Sequence, residues 1–255
     1  MNRQSAAGAR LSEGSAEPAR STNSTRPGAN ERVRKSRKPS RPGTDTRSKL
    51  LDAAEQVFSN KGFDGTSLRD IAEAADLHLA LSSYHYGTKE RLFDEVIRRR
   101  AIEMERMRLE GLAKIDLKAQ PTSETVRLMI EAYVSPMIRA RYGSSPQWQA
   151  HVRLMARVVN VKRWTPMIRK HYDRCARVFL DQWRELLPSA DNNALLNAYS
   201  FMVVTTLYVC SYTNRFGRWK TKPKSRKAEL KAATNDLIQF VHAGFMALVR
   251  PTPRS

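Results

Sequence analysis

The chain has 255 residues, with 45 Lys and Arg against 25 Asp and Glu, a formal net charge of +20 and a pI near 10.4. So basic a balance makes a polyanion such as nucleic acid the first partner to consider, while two cysteines, Cys175 and Cys210, make no disulfide framework and fit a reducing compartment. No apolar h-region follows the early arginines, so no secretory signal is expected, and the longest apolar-leaning run, Phe201–Tyr212, is broken by threonines and reads as too short to span a bilayer.

Residues 1–43 hold ten Arg and Lys against three Glu, a net of +7, among Ser, Pro, Gly and Ala with almost no large apolar side chain. A stretch of that composition cannot bury a core and is expected to be a disordered basic tail. Its end, Arg32–Arg41, either lies along a DNA backbone or minor groove as basic arms do, or only solubilises the chain. Beyond it, Leu50, Leu51, Ala53, Ala54, Val57 and Phe58 recur at helical spacing, which predicts a first helix with Thr44 or Thr46 as cap and Asp45 near its positive end. Gly62 stands where a left-handed C-terminal cap is least strained. Ser67 caps a second helix with Asp70 three residues on, and Leu68, Ile71, Ala72 and Ala75 form its inward face. Asp76 falls in a tight turn before a third helix over His78–Tyr86. Two short helices across such a turn make a helix-turn-helix, whose second helix enters the major groove.

From Thr46 to Phe93 this segment resembles the DNA-binding domain of TetR-type transcriptional regulators, without a gap. The resemblance rests on Ala53-Ala54, Phe58, Gly62-Phe63, Thr66-Ser67, Arg69-Asp70-Ile71-Ala72, Tyr84-His85-Tyr86-Gly87-Thr88-Lys89-Glu90 and Leu92. The chain departs from the pattern at Asp76, where Gly is usual, at His78, where a small Ser is usual, and at Ser82, where an aliphatic is typical. The resemblance implies that Arg41, Arg47, Ser67, Arg69, His78, Leu79, Ala80, Ser83, Tyr84, His85 and Lys89 face DNA. Leu79 would meet a thymine methyl, with His78 and Ser83 at base edges. Tyr84, His85 and Lys89 would grip phosphates, which position the protein without reading sequence. Tyr86 is expected to pack under the third helix.

The rest reads as helices, with no strand pattern and no internal repeat. Lys89–Leu112 should link the DNA-binding segment to the body; Glu124–Arg141 follows, with Pro136 inside it expected to kink or shift it. Then come Gln147–Val161, Pro166–Leu187, the largely apolar Asn192–Phe216, which argues for burial on several sides, and the amphipathic Arg226–Val249. The expected fold is all-α. Its divisions are a basic tail over 1–43, a helix-turn-helix domain over 44–93, a helical effector-binding and dimerisation domain over 94–249, and a tail over 250–255.

For the body, the family resemblance implies a homodimer closed by the last two helices, through Phe201, Tyr208, Phe240 and Phe245. Such a dimer would read a palindromic duplex. It also implies an effector pocket, with Met129, Tyr133, Met137, Trp148, Arg153, Met155, Trp164, Tyr172, Tyr199, Met202 and Thr206 as candidate walls, though ordinary core is the alternative for many of them. Arg153 and Arg157 sit one turn apart, so one of them either meets an acidic ligand group or makes a surface ion pair. Arg153–Arg157 and Phe179–Pro188 weakly resemble fatty-acid- or acyl-CoA-responsive members, and the basic stretch Arg215–Lys231 is either a greeting surface for CoA phosphates or a solvated loop. His171 and Cys175, at i and i+4, make at most half a metal site. No HExxH, GxSxG, P-loop or GxGxxG is present, so no enzyme, cofactor or metal is expected. The reading is a cytoplasmic, ligand-responsive, DNA-binding repressor without membrane association. The alternatives are a ligand-independent architectural DNA binder of low specificity and a helical protein-interaction scaffold.

Overall fold

Nine α-helices and one 3-10 turn account for most of residues 42–118, 122–210 and 225–250, the parts that the computed structural model describes. The expectations for the basic tail, for Arg41, for the basic stretch up to residue 224 and for the tail beyond Arg250 lie outside the described residues. The helices are α1 (Pro42–Lys61), α2 (Leu68–Ala74), α3 (Leu79–Tyr86), α4 (Lys89–Leu112), α5 (Thr122–Tyr142), α6 (Pro146–Val158), α7 (Thr165–Leu186), α8 (Asn192–Cys210) and α9 (Arg226–Val249), with the 3-10 turn Lys162–Trp164 before α7.

Helix α1 starts earlier than the spacing predicts. It begins at Pro42, so Thr44 and Thr46 lie inside it, while Asp45 keeps its place in the first turn and pairs with Lys49 at 3.0 Å. Pro fits a first turn because the N–H it lacks would have no partner there. Gly62, at φ +76°, ends the helix by donating its N–H to the Phe58 carbonyl at 2.9 Å. Ser67 caps α2 in a full capping box, its hydroxyl accepting from the Asp70 N–H while the Asp70 carboxylate accepts from the Ser67 N–H. Lys61 reaches the same carboxylate from α1, and its hydrogen bond, followed by those from Ser67, holds Asp70 well below the usual carboxylate range. In the turn, Asp76 sits at φ +54°, the one non-glycine residue with positive φ among those described. A Cβ is strained there, which is why Gly is the expected occupant.

Four rings weld the three-helix unit to the body. Phe58 of α1 meets Phe93 of α4 edge-on at 4.9 Å, Phe63 meets Phe93 at 5.1 Å, and Trp164 lies 4.8 Å from both Phe63 and Phe93. Helix α5 is the buried axis of the body, packed against α4, α6, α7, α8 and α9, and the helix continues on both sides of Pro136. Gly111 of α4 lets α5 approach closely, since a Cβ there would come within 3.2 Å of the Ala132 methyl.

Helix α8 corrects the expectation of burial on several sides. Only Leu195, Ala198, Met202, Thr206, Leu207 and Cys210 are buried, while Phe201, Val204 and Tyr208 point outward. It is also long and apolar enough, by length and composition, to cross a bilayer. Its inner face packs on α5, α6, α7 and α9, as a helix of a folded body does.

Candidate DNA-reading face, effector cavity and the contacts between them

Helix α3 presents His78, Leu79, Ala80, Ser83 and Tyr84 outward, with Tyr84 83% exposed, while Ser82 and Tyr86 turn into the core. The exposed set is one continuous face of two turns, the shape that a groove-reading helix needs. Tyr86 is held from below: its hydroxyl donates to the Arg47 carbonyl and accepts from Arg47 Nε, both at 3.3 Å. Arg47 keeps half its side chain exposed beside that contact, and the exposed Arg69 pairs with Glu73 at 3.2 Å. His85 is half-buried at the edge of the face, against Tyr84.

Two expected DNA contacts are otherwise engaged. Ser67 spends its hydroxyl on the capping box, accepting from the Asp70 N–H and donating to the Asp70 carboxylate. The Lys89 ammonium donates to the carbonyls of Phe63 at 3.0 Å and Thr66 at 2.8 Å and lies over the Phe63 ring. A cation at a helix start is unfavourable unless something else holds it; here two carbonyls do. Lys89 therefore staples the loop ahead of α2.

Within the body, a cavity of about 150 Å³ opens between α4, α5, α6, α7 and α8. Of the candidate walls, Tyr133, Met137, Met155, Tyr172, Tyr199 and Thr206 line it. Met129, Trp148, Arg153, Trp164 and Met202 do not. Met129 is plain core, and Met202 faces the α8–α9 side. Trp148 meets His151 edge-on, and the Arg100 guanidinium lies over its ring. Trp164 belongs to the four-ring weld, and Arg153 reaches Ser59 of α1 at 3.3 Å. Wide aromatics and arginines serve a joint as well as a pocket, so residue type alone does not separate the two.

The sequence reading missed Arg108, a cavity wall on α4 that is only 4% exposed. Its Nε donates to the Tyr133 carbonyl at 3.0 Å, and its guanidinium lies 3.7 Å from the Tyr133 ring centre. A signal was present. Phe93, Ile97, Arg100, Ala101, Met104 and Arg108 are all buried at helical spacing, so two arginines occupy the apolar stripe of α4. Opposite Arg108 the Tyr133 and Tyr199 hydroxyls share a hydrogen bond of 2.6 Å, and burial raises the pKa of both.

A polar chain runs from this cavity to the DNA-binding unit. The Tyr172 hydroxyl lies 3.2 Å from His151 Nε2, and His151 Nδ1 lies 3.6 Å from Glu55 Oε1. Glu55, on α1 and fully buried, accepts from Arg100 at 2.7 Å and from Arg99 at 3.1 Å. Burial raises the Glu55 carboxyl, against the lowering pull of the two arginines. Burial, then the charges of Arg100, Arg99 and Arg108, push His151 down to about 3. The imidazole is thus neutral at pH 7, and its 3.6 Å approach to Glu55 is a packing contact and not an ion pair. Beside this chain, Arg157 donates to the Asn60 carbonyl at 3.2 Å, Gln56 to the Pro146 carbonyl at 3.0 Å, and Arg163 pairs with Asp64 at 2.9 Å. Helix α6 is in this way the joint between body and DNA-binding unit.

On the far side, α8 and α9 bound an open apolar groove of about 370 Å³. Phe201 and Phe240 stand on its rim at 59% and 69% exposed, and Tyr208 lies outward on the same helix as Phe201. Phe245 differs from expectation. It is buried within the chain, 4.9 Å from Trp183, and forms part of the groove floor. Neither member of the half metal site is free for an ion: His171 Nε2 is bonded to Asp94 at 2.7 Å, and Cys175 is buried beside Arg108.

A family model described as bacterial regulatory proteins of the tetR family matches residues 50–96, and one described as a tetracyclin repressor-like C-terminal domain matches residues 131–244. The chain is 38% identical over 52 residues to the probable HTH-type transcriptional regulator YttP of Bacillus subtilis (strain 168), covering 20% of this chain and 25% of that protein. It is 36% identical over 50 residues to IcaR, the HTH-type negative transcriptional regulator of the biofilm operon icaADBC in Staphylococcus aureus (strain Newman), covering 20% of this chain and 27% of that protein. These matches span about a quarter of the relatives' length. In fold, the chain is similar to the crystal structure of the transcriptional regulator FadR from Bacillus subtilis in complex with stearoyl-CoA, with a TM-score of 0.51 and 14% identity over 77% of this chain and 98% of that one.

Proposed function

Because the chain belongs to the TetR family of bacterial regulatory proteins, we propose that it is a cytoplasmic homodimeric repressor, released from a palindromic operator by a small, largely apolar effector. It is a regulator and not an enzyme, as its family and relatives are. One observation carries the reading: a row of buried side chains runs from Tyr172 on the cavity wall through His151 to Glu55 of α1, in the same three-helix unit that carries the exposed face of α3.

His78, Leu79, Ala80 and Ser83 would read bases, with Arg47, Arg69, Tyr84 and His85 on the backbone. The groove between α8 and α9 supports a dimer, since exposed rings of this size around an apolar floor are costly on a lone protomer. An effector entering the cavity displaces Tyr172 or its partners. It shifts the balance between headpiece spacings only by as much as it prefers one of them. A cavity of about 150 Å³ favours a compact ligand, and an acyl-CoA would require the walls to open.

The test is fluorescence anisotropy on a duplex from upstream of the gene against a shuffled one. Leu79→Ala and Ser83→Ala should relax sequence preference, whereas Tyr84→Ala should weaken both duplexes alike. If these variants change only thermal stability, α3 is structure and not readout. The net charge of +20 favours a second reading, a low-specificity architectural binder, which predicts equal binding to both duplexes with a steep salt dependence.

A further inference from the structure

Three arginines of α4 are drawn inward, and two of them are neutralised. Arg99 pairs with Asp52 at 2.8 Å and with Glu55, and Arg100 pairs with Glu55 and with Glu103 at 3.1 Å. Arg108 is different. It is nearly as buried as any side chain in the body and makes no ion pair with any described carboxylate. Its fixed neighbours are a carbonyl, the face of Tyr133 and the Cys175 thiol. A guanidinium stays charged under all physiological conditions, and an uncompensated buried charge is among the least favourable arrangements a fold retains. Here it borders an open cavity whose other walls include Met137, Met155, Ile168 and Val203, with the paired hydroxyls of Tyr133 and Tyr199 beside it.

We infer that the cavity binds a small organic monocarboxylate of the benzoate class, with its carboxylate on Arg108 and its apolar body against these walls. The charge supplies the missing counter-ion, and guanidinium and carboxylate match in planar, bidentate geometry. The volume sets the body: about 150 Å³ is the size of cavity that accepts a benzene ring. Asp173 also lines the cavity, without an ion pair to Arg108. It disfavours a second negative charge on the ligand, which is why a monoacid is expected. This inference rests on the sensing role proposed for the cavity and names the class of molecule sensed.

The test is calorimetric titration of the full chain, without DNA, using sodium benzoate, benzyl alcohol and benzylamine as probes of one shape and three charges. Benzoate should bind about tenfold or more tightly than benzyl alcohol, since only it forms a charge-assisted pair. Arg108→Met should erase that preference, and Asp173→Asn should leave it intact or increase it. Equal binding of benzoate and benzyl alcohol by the wild-type protein overturns the inference, whether or not Arg108→Met folds. So does benzylamine binding that is preferred over benzoate and lost in Asp173→Asn, and so does an absence of benzoate binding. Operator anisotropy on the same preparation separates the two claims. Carboxylate binding with no DNA preference contradicts the repressor reading alone, and DNA preference with no carboxylate binding contradicts this inference alone.

Discussion

Replacing His151 by Gln should change how the protein responds to acid. The imidazole is fully buried between Tyr172 and Glu55, and its pKa lies near 3 when folded against an ordinary value of 6.5. Below pH 6.5 the unfolded chain takes up a proton at this residue and the folded one does not, so stability is lost as pH falls from about 6.5 to about 3. At about 1.4 kcal/mol per pH unit, a drop from pH 7 to pH 5 removes roughly 2 kcal/mol through His151 alone. Glu55 works the other way, because its raised folded pKa lets the native state accept a proton first. His151→Gln leaves Glu55 in place and removes only the histidine's share. Urea unfolding at pH 7 and pH 5 gives the difference for each protein, and the other four histidines are common to both. The wild type should lose about 2 kcal/mol more than the variant. Equal losses would mean that His151 titrates normally and that the buried chain from Tyr172 to Glu55 is wrong.

Three further outcomes follow from the same geometry. Asp76→Gly should stabilise the protein by roughly 1 kcal/mol in chemical denaturation, because φ +54° strains any Cβ; a destabilised variant would show that the Asp side chain holds the turn. Phe240→Glu, on the exposed rim of the α8–α9 groove, should yield a folded monomer in analytical ultracentrifugation, and a dimer that survives it would move the interface elsewhere. Tyr172→Phe deletes the hydroxyl beside His151 while leaving the cavity wall, so an effector should still bind but should alter operator affinity less. Unchanged coupling, read by anisotropy with and without effector, would place the link outside this chain of contacts.

Local signals carried most of the DNA-binding unit. Gly62, Ser67 with Asp70, and Asp76 each mark a backbone geometry that few residue types satisfy, and all three are found where that geometry occurs. The body helices were legible from apolar spacing and prolines. Lys89–Leu112 and Arg226–Val249 are found with those ends, as is the start at Asn192, and the end expected at Phe216 lies outside the described residues. The remaining ends moved by a residue or a few, because the first and last turns have backbone groups without helical partners and depend on what lies beside them. The cavity was legible only in part. Trp148, Trp164 and Arg153 have the residue types of pocket walls but pack at the joint around α6, and this depends on which helix crosses which. Arg108 was hidden by its sequence context, where it follows Arg98, Arg99, Arg100 and Arg106 and looks like one more solvated charge. Its register with Ile97, Ala101 and Met104 sets it apart. Lys89 shows the converse: a side chain chosen for an external anion is held by two internal carbonyls.

The most direct test of the central claim is selection of binding sites from a pool of random duplexes by the purified protein at physiological salt, followed by sequencing. A dimer that reads DNA with two copies of α3 should enrich an inverted repeat. Its affinity for that sequence should exceed its affinity for the starting pool by about a thousandfold or more. A pool that stays unenriched while still binding tightly would contradict the account and leave the chain's positive charge as the whole of its attraction to DNA.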